Sequence, residues 1–293
     1  MKRSVSIVVL CLFLLVAGFA FAQEISFLNP GPSGAVPPVP ASPVAQSPEY
    51  TPILLASGHT GIRGLGVPGP AGRIFVTTAY GYLYLYQNGS MQNTGMGLGG
   101  FSGHYFQGYY WGDKDGSIYR LVNGKVTHLA TLPGMPSLID ALTVDPANGS
   151  VYFSAGNSVF NGIYVLRKGS STPKLLLSLP IPNPSYGLAI NGDLLYFGDY
   201  YGGAIYRIPK RGGRVRLVCS GLAQPARMVF DKGGNLYIAE FGGGRILAVK
   251  AGTTDPTVIA LSAFIGAVAV DGNGNVYFGT NAGQLWKLQR SFN

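Results

Sequence analysis

The chain has 293 residues, and its 44 glycines, about twice the usual share, with 20 prolines and 18 tyrosines exclude a predominantly helical protein. Hydrophobic residues at 47 % against 11 % charged supply a large core and exclude wholesale disorder. The net charge of +9 comes from Lys and Arg scattered along the chain, with one cluster at Lys210, Arg211, Arg214 and Arg216, so the basic stripe of a nucleic-acid binder is missing, and 2 Cys with 3 His exclude a disulfide framework and a Cys/His metal cluster.

Lys2 and Arg3 precede an apolar run from Val5 to Phe21, and Ala20-Phe21-Ala22 places small residues at the last and third-last positions of a signal-peptidase site. Residues 1–22 therefore read as a cleaved signal peptide, and the protein as secreted or periplasmic. An uncleaved anchor is the alternative, because the run approaches the length needed to span a bilayer. Cys11 lies inside the run and cannot be the lipidated first residue of a mature lipoprotein. Residues 23–49, rich in Pro and Ser between Asn29 and Pro48, read as an extended tether.

Folded structure is expected over residues 50–293, where six apolar triplets recur. They are Ile74-Phe75-Val76, Tyr109-Tyr110-Trp111, Val151-Tyr152-Phe153, Leu195-Tyr196-Phe197, Leu236-Tyr237-Ile238 and Val276-Tyr277-Phe278, with centres 35, 42, 44, 41 and 40 residues apart. A second apolar pair follows each across a Gly-rich turn, as in Ile118-Tyr119 and Ile205-Tyr206. Before most triplets a short apolar run ends in Asp or Asn, as in Leu188 to Asn191 and Met228 to Asp231. Four strands per unit of about 40 residues predict an all-β fold, a six-bladed β-propeller. Fourth strands are expected at Val126 to Leu132, Lys174 to Leu179, Val215 to Cys219 and Thr257 to Leu261, whereas the sixth unit stops after its third. The segment Thr51 to Ser57 resembles a fourth strand that no first blade needs, so it is assigned to the last blade, closing the ring.

The run from Gly234 to Ile246, with Leu236-Tyr237-Ile238-Ala239-Glu240 at its centre, resembles the core of an NHL-type repeat. Residues 50–293 as a whole are similar to the secreted NHL, gluconolactonase and streptogramin-lyase group of six-bladed propellers. The resemblance implies a fold, and a group that holds lactonases, lyases and binding scaffolds. It also implies, for a gluconolactonase-like site, one divalent cation such as Ca or Mg held by Glu, Asp and Asn side chains of the inner strands. Streptogramin-lyase-like chemistry implies Glu and His two residues apart around magnesium; Glu240 has no such His, since no His follows His128.

Aligning the innermost strands on their terminal Asp or Asn puts Arg63, Ser102, Asp140, Tyr186, Ala226 and Gly266 at one level, with Arg227 one residue later and His104 near the same end. Guanidiniums, a carboxylate and a phenol there suit a small anionic or sugar-like ligand, or alternatively fill a solvated channel. Asp113, Asp199 and Glu240 recur three residues after their triplet centres and are expected to cap the following turns. Glu240, the longer acid, is also a metal candidate together with Asp140. Cys219 is expected to be buried and inert, and no G-x-S-x-G, phosphate loop or dinucleotide fingerprint is present. The Tyr pairs Tyr109-Tyr110 and Tyr200-Tyr201 are expected between blades, or as a stacking surface. The expectation is a monomeric propeller that binds a small molecule, glycan or protein at its funnel end and no nucleic acid. A metal-dependent lactonase or lyase, and a tethered structural spacer, are the alternatives.

Overall fold

The computed structural model describes residues 42–67, 72–98, 100, 102–133, 138–156, 161–180 and 185–291, so the segment expected to direct export and most of the expected tether lie outside it. The described residues contain strands and no helix. The first two strands are β1 (Val44–Ala45) and β2 (Tyr50–Ala56). Blade 1 follows as β3 (Ile62–Gly66), β4 (Ile74–Thr78), β5 (Tyr82–Gln87) and β6 (Ser90–Gly97), and blade 2 as β7 (Ser102–Tyr105), β8 (Tyr109–Gly112), β9 (Ser117–Val122) and β10 (Lys125–Thr131). Blade 3 holds β11 (Leu138–Val144), β12 (Val151–Gly156), β13 (Asn161–Leu166) and β14 (Lys174–Ser178). Blade 4 holds β15 (Leu188–Asn191), β16 (Leu194–Asp199), β17 (Ala204–Pro209) and β18 (Arg216–Ser220). Blade 5 holds β19 (Pro225–Phe230), β20 (Leu236–Glu240), β21 (Arg245–Val249) and β22 (Pro256–Leu261), and blade 6 holds β23 (Ile265–Val270), β24 (Val276–Thr280) and β25 (Leu285–Arg290).

Each blade is one antiparallel sheet whose first strand lies innermost, and β3, β7, β11, β15, β19 and β23 neighbour one another in a closed ring. The fourth strand of blade 6 is β2, paired with β25 from Tyr50↔Arg290 to Ala56↔Leu285. A strand that precedes blade 1 therefore closes the last blade, as the missing sixth fourth-strand required. The expected tether ends differently: Val44 and Ala45 pair with Leu261 and Ala260 and add a fifth strand to blade 5, so this part of the segment is bound to the propeller edge.

The triplets form the second strands, where side chains on both faces are buried against neighbouring blades. Six apolar clusters result, one per blade junction, such as Phe153 and Tyr110 between blades 2 and 3, and Phe278 and Tyr237 between blades 5 and 6. Tyr109 and Trp111 fill the junction of blades 1 and 2 in a stack with Phe75 and Tyr119, as expected for that Tyr pair. The acid at the end of an inner strand knits the first hairpin. Asp231 accepts the Asn235 backbone N–H at 2.8 Å, its side-chain amide at 2.8 Å and the Tyr237 hydroxyl at 3.3 Å, and Asp271, Asn275 and Tyr277 repeat the arrangement in blade 6. In blade 1, Asn88 and Gly89 both take positive φ, 52° and 76°, giving the hairpin turn that Asn-Gly favours.

Candidate functional site

The innermost strands do not pair smoothly with their neighbours. In blades 1, 3, 5 and 6 the register slips by one residue near the start of the strand, leaving Arg63, Asp140, Ala226 and Gly266 as the extra residue of a β-bulge. A bulge re-aims the side chain it carries. These residues meet at one mouth of the channel, where together with Tyr186, Tyr200, Tyr201, Arg227 and Phe241 they line a cup of about 360 Å³. The two small residues make room. A Cβ on Gly266 would stand 2.5 Å from the Ile62 carbonyl oxygen and 3.2 Å from Arg63 Nη1.

Arg63 donates from Nη2 to Asn281 Oδ1 at 2.8 Å, and its guanidinium lies over the Phe241 ring, 5.1 Å from the centroid. Tyr186 meets Tyr200 edge to face at 4.7 Å, and Tyr200 meets Tyr201 in the same way at 5.1 Å. Tyr201 is 60 % exposed, so this Tyr pair belongs to the cup and does not fill a blade junction. Phe264 packs on Phe241 at 5.6 Å with φ at +45°, a left-handed conformation that a bulky side chain rarely takes. Gln224, two residues before the bulge in blade 5 as Phe264 is in blade 6, takes +55°. The turn therefore demands this backbone, which glycine would supply without strain, and at residue 264 it carries a half-exposed phenyl ring.

Asp140 is 6 % exposed, and its carboxyl has no hydrogen-bond partner among the described residues. Burial pushes it up to about 7 against the pull of the Arg227 guanidinium. Burial likewise raises the Tyr186 phenol to about 12, with Asp140 adding to the shift, and lowers Arg227 to about 10, with Asp140 opposing. Arg227 crosses the channel. It donates from Nε to the Arg63 carbonyl at 3.1 Å and from Nη1 to the carbonyls of Asp140, at 2.8 Å, and Tyr186, so one guanidinium of blade 5 binds main chain of blades 1 and 3 and of the lead-in to blade 4. Expected as a ligand group, it forms the floor of the cup.

Two expected members of the ring lie elsewhere. In the innermost strand of blade 2, Ser102 pairs with Gly112, level with Arg227, and its buried hydroxyl donates to the Ile139 carbonyl at 3.2 Å. His104 lies two residues further on and lines the inner channel beyond Arg227, where burial lowers it to about 4 and keeps the imidazole neutral. Two of the three recurring acids cap the turns that follow them, and Glu240 does not. Asp199 accepts the Gly202 N–H at 2.7 Å and Asp113 that of Lys114 at 2.5 Å. Glu240, fully buried, accepts the Ala223 N–H at 2.6 Å and pairs with Arg245 through Nε and, at 2.7 Å, Nη2. Cys219 is buried, with its thiol pushed up to about 11, as expected of an inert residue.

The residues present do not fit a divalent cation. Among the described residues Asp140 is the one carboxylate lining the cup, it shares the lining with two guanidiniums, and Glu240 has both oxygens engaged outside it. No group of three His, Cys, Asp or Glu among the described residues could hold a metal ion. Glu240→Gln is expected to destabilise the fold by about 2 kcal/mol through loss of the Arg245 ion pair, the same amount with calcium, magnesium or chelator present, read by thermal unfolding. A cation-induced stabilisation of the wild type that this variant loses would return Glu240 to a metal site.

A larger cleft, about 440 Å³, lies at the other end of the blades between blades 2 and 3, with Tyr110, Arg120 and Lys168 in its walls. A smaller counterpart of about 210 Å³ recurs between blades 4 and 5 with Tyr196, Arg207 and Lys250, which marks both as products of repeat geometry.

No family model and no curated protein sequence matches the chain. Solved structures do. A gluconolactonase from Xanthomonas campestris superposes with a TM-score of 0.73 at 15 % identity, covering 89 % of this chain and 98 % of its own. A calcium-binding protein, regucalcin, from Agrobacterium tumefaciens gives 0.65 at 15 %, over 82 % and 94 %, and a streptogramin B lyase gives 0.59 at 15 %, over 83 % and 98 %. At such identity the likeness is one of fold, a six-bladed propeller.

Proposed function

We propose that the protein binds a small ring-bearing ligand in the funnel cup, and that it does so outside the cytoplasm, exported by residues 1–22. The observation that carries the reading is the convergence of bulge residues Arg63 and Asp140 with Tyr186, Tyr200, Tyr201 and Phe241 on one cavity of about 360 Å³. That volume is within the usual range of small-molecule sites, and aromatic walls with a few placed polar groups are their usual chemistry. A strained aromatic at the rim, Phe264, adds support. The gluconolactonase and lyase neighbours make a metal-dependent hydrolase or lyase the alternative, and the donor set described above gives it no cation site.

The test is a screen of neutral and charged ring fragments by protein-observed NMR, repeated on Tyr186→Ala. Fragments that shift signals of the cup in the wild type and weaken by about tenfold or more in the variant are the expected result. Fragments that bind only elsewhere, or equally well to Tyr186→Ala, overturn the reading.

A further inference from the structure

We propose that the ligand of the cup is an organic anion, its negative group held by Arg63 beside the Asp140 carboxyl while its ring lies against Tyr186, Tyr200 and Phe241. This deepens the reading of the cup as a ring-binding site and rests on it.

The charges in the lining are two guanidiniums and one carboxyl. Arg227 has its Nε and Nη1 hydrogens committed to carbonyls, which carry no net charge, so its positive charge stands at the floor with the Asp140 carboxyl as its counter-group in the lining. Arg63 spends Nη2 on Asn281, a neutral amide, and one face on Phe241, leaving Nε and Nη1 without a protein partner among the described residues. An anion arriving there meets preformed charge-assisted donors. Asp140 is the feature that a cation site would share, and here it is outnumbered. The ionisable groups that share the cup with it are Arg227 from β19, Tyr186 from the lead-in to β15, Tyr200 and Tyr201 from the β16–β17 turn and Arg63 from β3, of which Arg227 and Tyr186 are coupled to its charge. None of them accepts a proton from Asp140 near neutrality, and none hydrogen-bonds it.

A carboxyl that titrates near neutrality can take a proton from solvent and donate it to a bound anion, whereas its ionised form repels that anion. Binding is therefore proton-linked: the anion raises the Asp140 pKa further, and affinity falls as the pH rises through the free value.

The experiment measures calorimetric affinities of benzoate, benzamide and benzylamine for the purified protein at about pH 6 and about pH 8.5. Benzoate is expected to bind best at the lower pH, about tenfold ahead of the neutral and cationic probes, and to weaken by about tenfold at the higher pH. Arg63→Gln is expected to weaken benzoate far more than benzamide and so remove the benzoate preference, and Asp140→Asn to flatten the pH dependence. Arg63→Gln keeps the Arg63 carbonyl that Arg227 uses and gives up the Asn281 bond, and thermal unfolding of the variant reads that cost separately from binding. Benzylamine ahead of benzoate makes the cup a cation site and overturns the proposal. Equal binding of all three, lost in Tyr186→Ala, also overturns it and leaves the ring-binding reading standing. Binding of none overturns it too, and the fragment screen then decides the broader reading.

Discussion

A chain that begins at Gly61 is expected to lose cooperative unfolding and to aggregate at concentrations where the longer chain is soluble. The loss comprises the whole of β2, six paired positions along β25, together with the burial of Tyr50, whose hydroxyl lies 3.2 Å from that of Tyr237. At roughly 1 kcal/mol per net hydrogen bond and about 2 kcal/mol for a buried aromatic side chain, the deficit is on the order of 5 kcal/mol or more, comparable with the stability of a typical domain. Leu55 and Ala56 also pack on the core between blades 6 and 1, so the closing joint of the ring loses packing as well. The exposed edge of β25, running Leu285-Trp286-Lys287-Leu288, would be an unpaired and largely apolar strand. Differential scanning calorimetry and light scattering read both effects. Moving residues 42–58 behind Asn293 through a flexible linker should restore a single sharp transition, since β2 is then supplied from the other end. A chain from Gly61 that melts within a few degrees of the longer one would show that blade 6 holds with three strands.

That closure was legible because it is a matter of counting. Five units supply a fourth strand after their third, the sixth does not, and Tyr50–Ala56 precedes a blade complete without it. The cup was legible in part for a related reason. The acids ending the inner strands, Asp231 and Asp271 among them, are fixed by the same network with Asn and Tyr in successive blades, so they make a sound ruler for counting back to Asp140, Ala226 and Gly266. The ruler fails in blade 2, where β7 ends at Tyr105 with no terminal acid, and Ser102 lands one rung away. Tyr200 and Tyr201 were ambiguous because Tyr in a Gly-rich turn reads alike whether it fills a junction or faces a channel; Asp199, which fixes the turn that presents them, was the available signal. Val44–Ala45 carries no periodicity in two residues and pairs with a strand more than 200 positions away. Arg227 could not have been read as a floor by any local rule. Its acceptors are main-chain oxygens 41, 87 and 164 residues distant, and carbonyls have no residue identity.

Arg227→Met is expected to lower stability by about 3 kcal/mol, or roughly 6 to 12 °C in melting temperature for a domain of this size. Three charge-assisted bonds from one guanidinium tie blade 5 to the other side of the ring, and methionine fills the space without a donor. Water entering the channel can hydrate the freed carbonyls, which keeps the loss below the sum of three such bonds. Lysine should rescue little, because a point ammonium does not reproduce the fork that spans the three acceptors. The pH dependence separates this account from a simple packing defect. In the wild type the folded Asp140 titrates near 7 and the unfolded one near 3.8, so the folded state binds the proton more tightly. This group therefore costs stability progressively as the pH rises from about 4 to about 7, and no more above. Without Arg227 the folded value moves higher still, since the cation opposing burial is gone. The deficit of Arg227→Met should then keep growing between about pH 7 and pH 9, and the added Asp140→Asn replacement should abolish that growth while leaving the pH-independent part. A deficit that is flat over this range would mean that Arg227 acts on the fold through its carbonyl bonds alone and exerts no hold on the Asp140 proton.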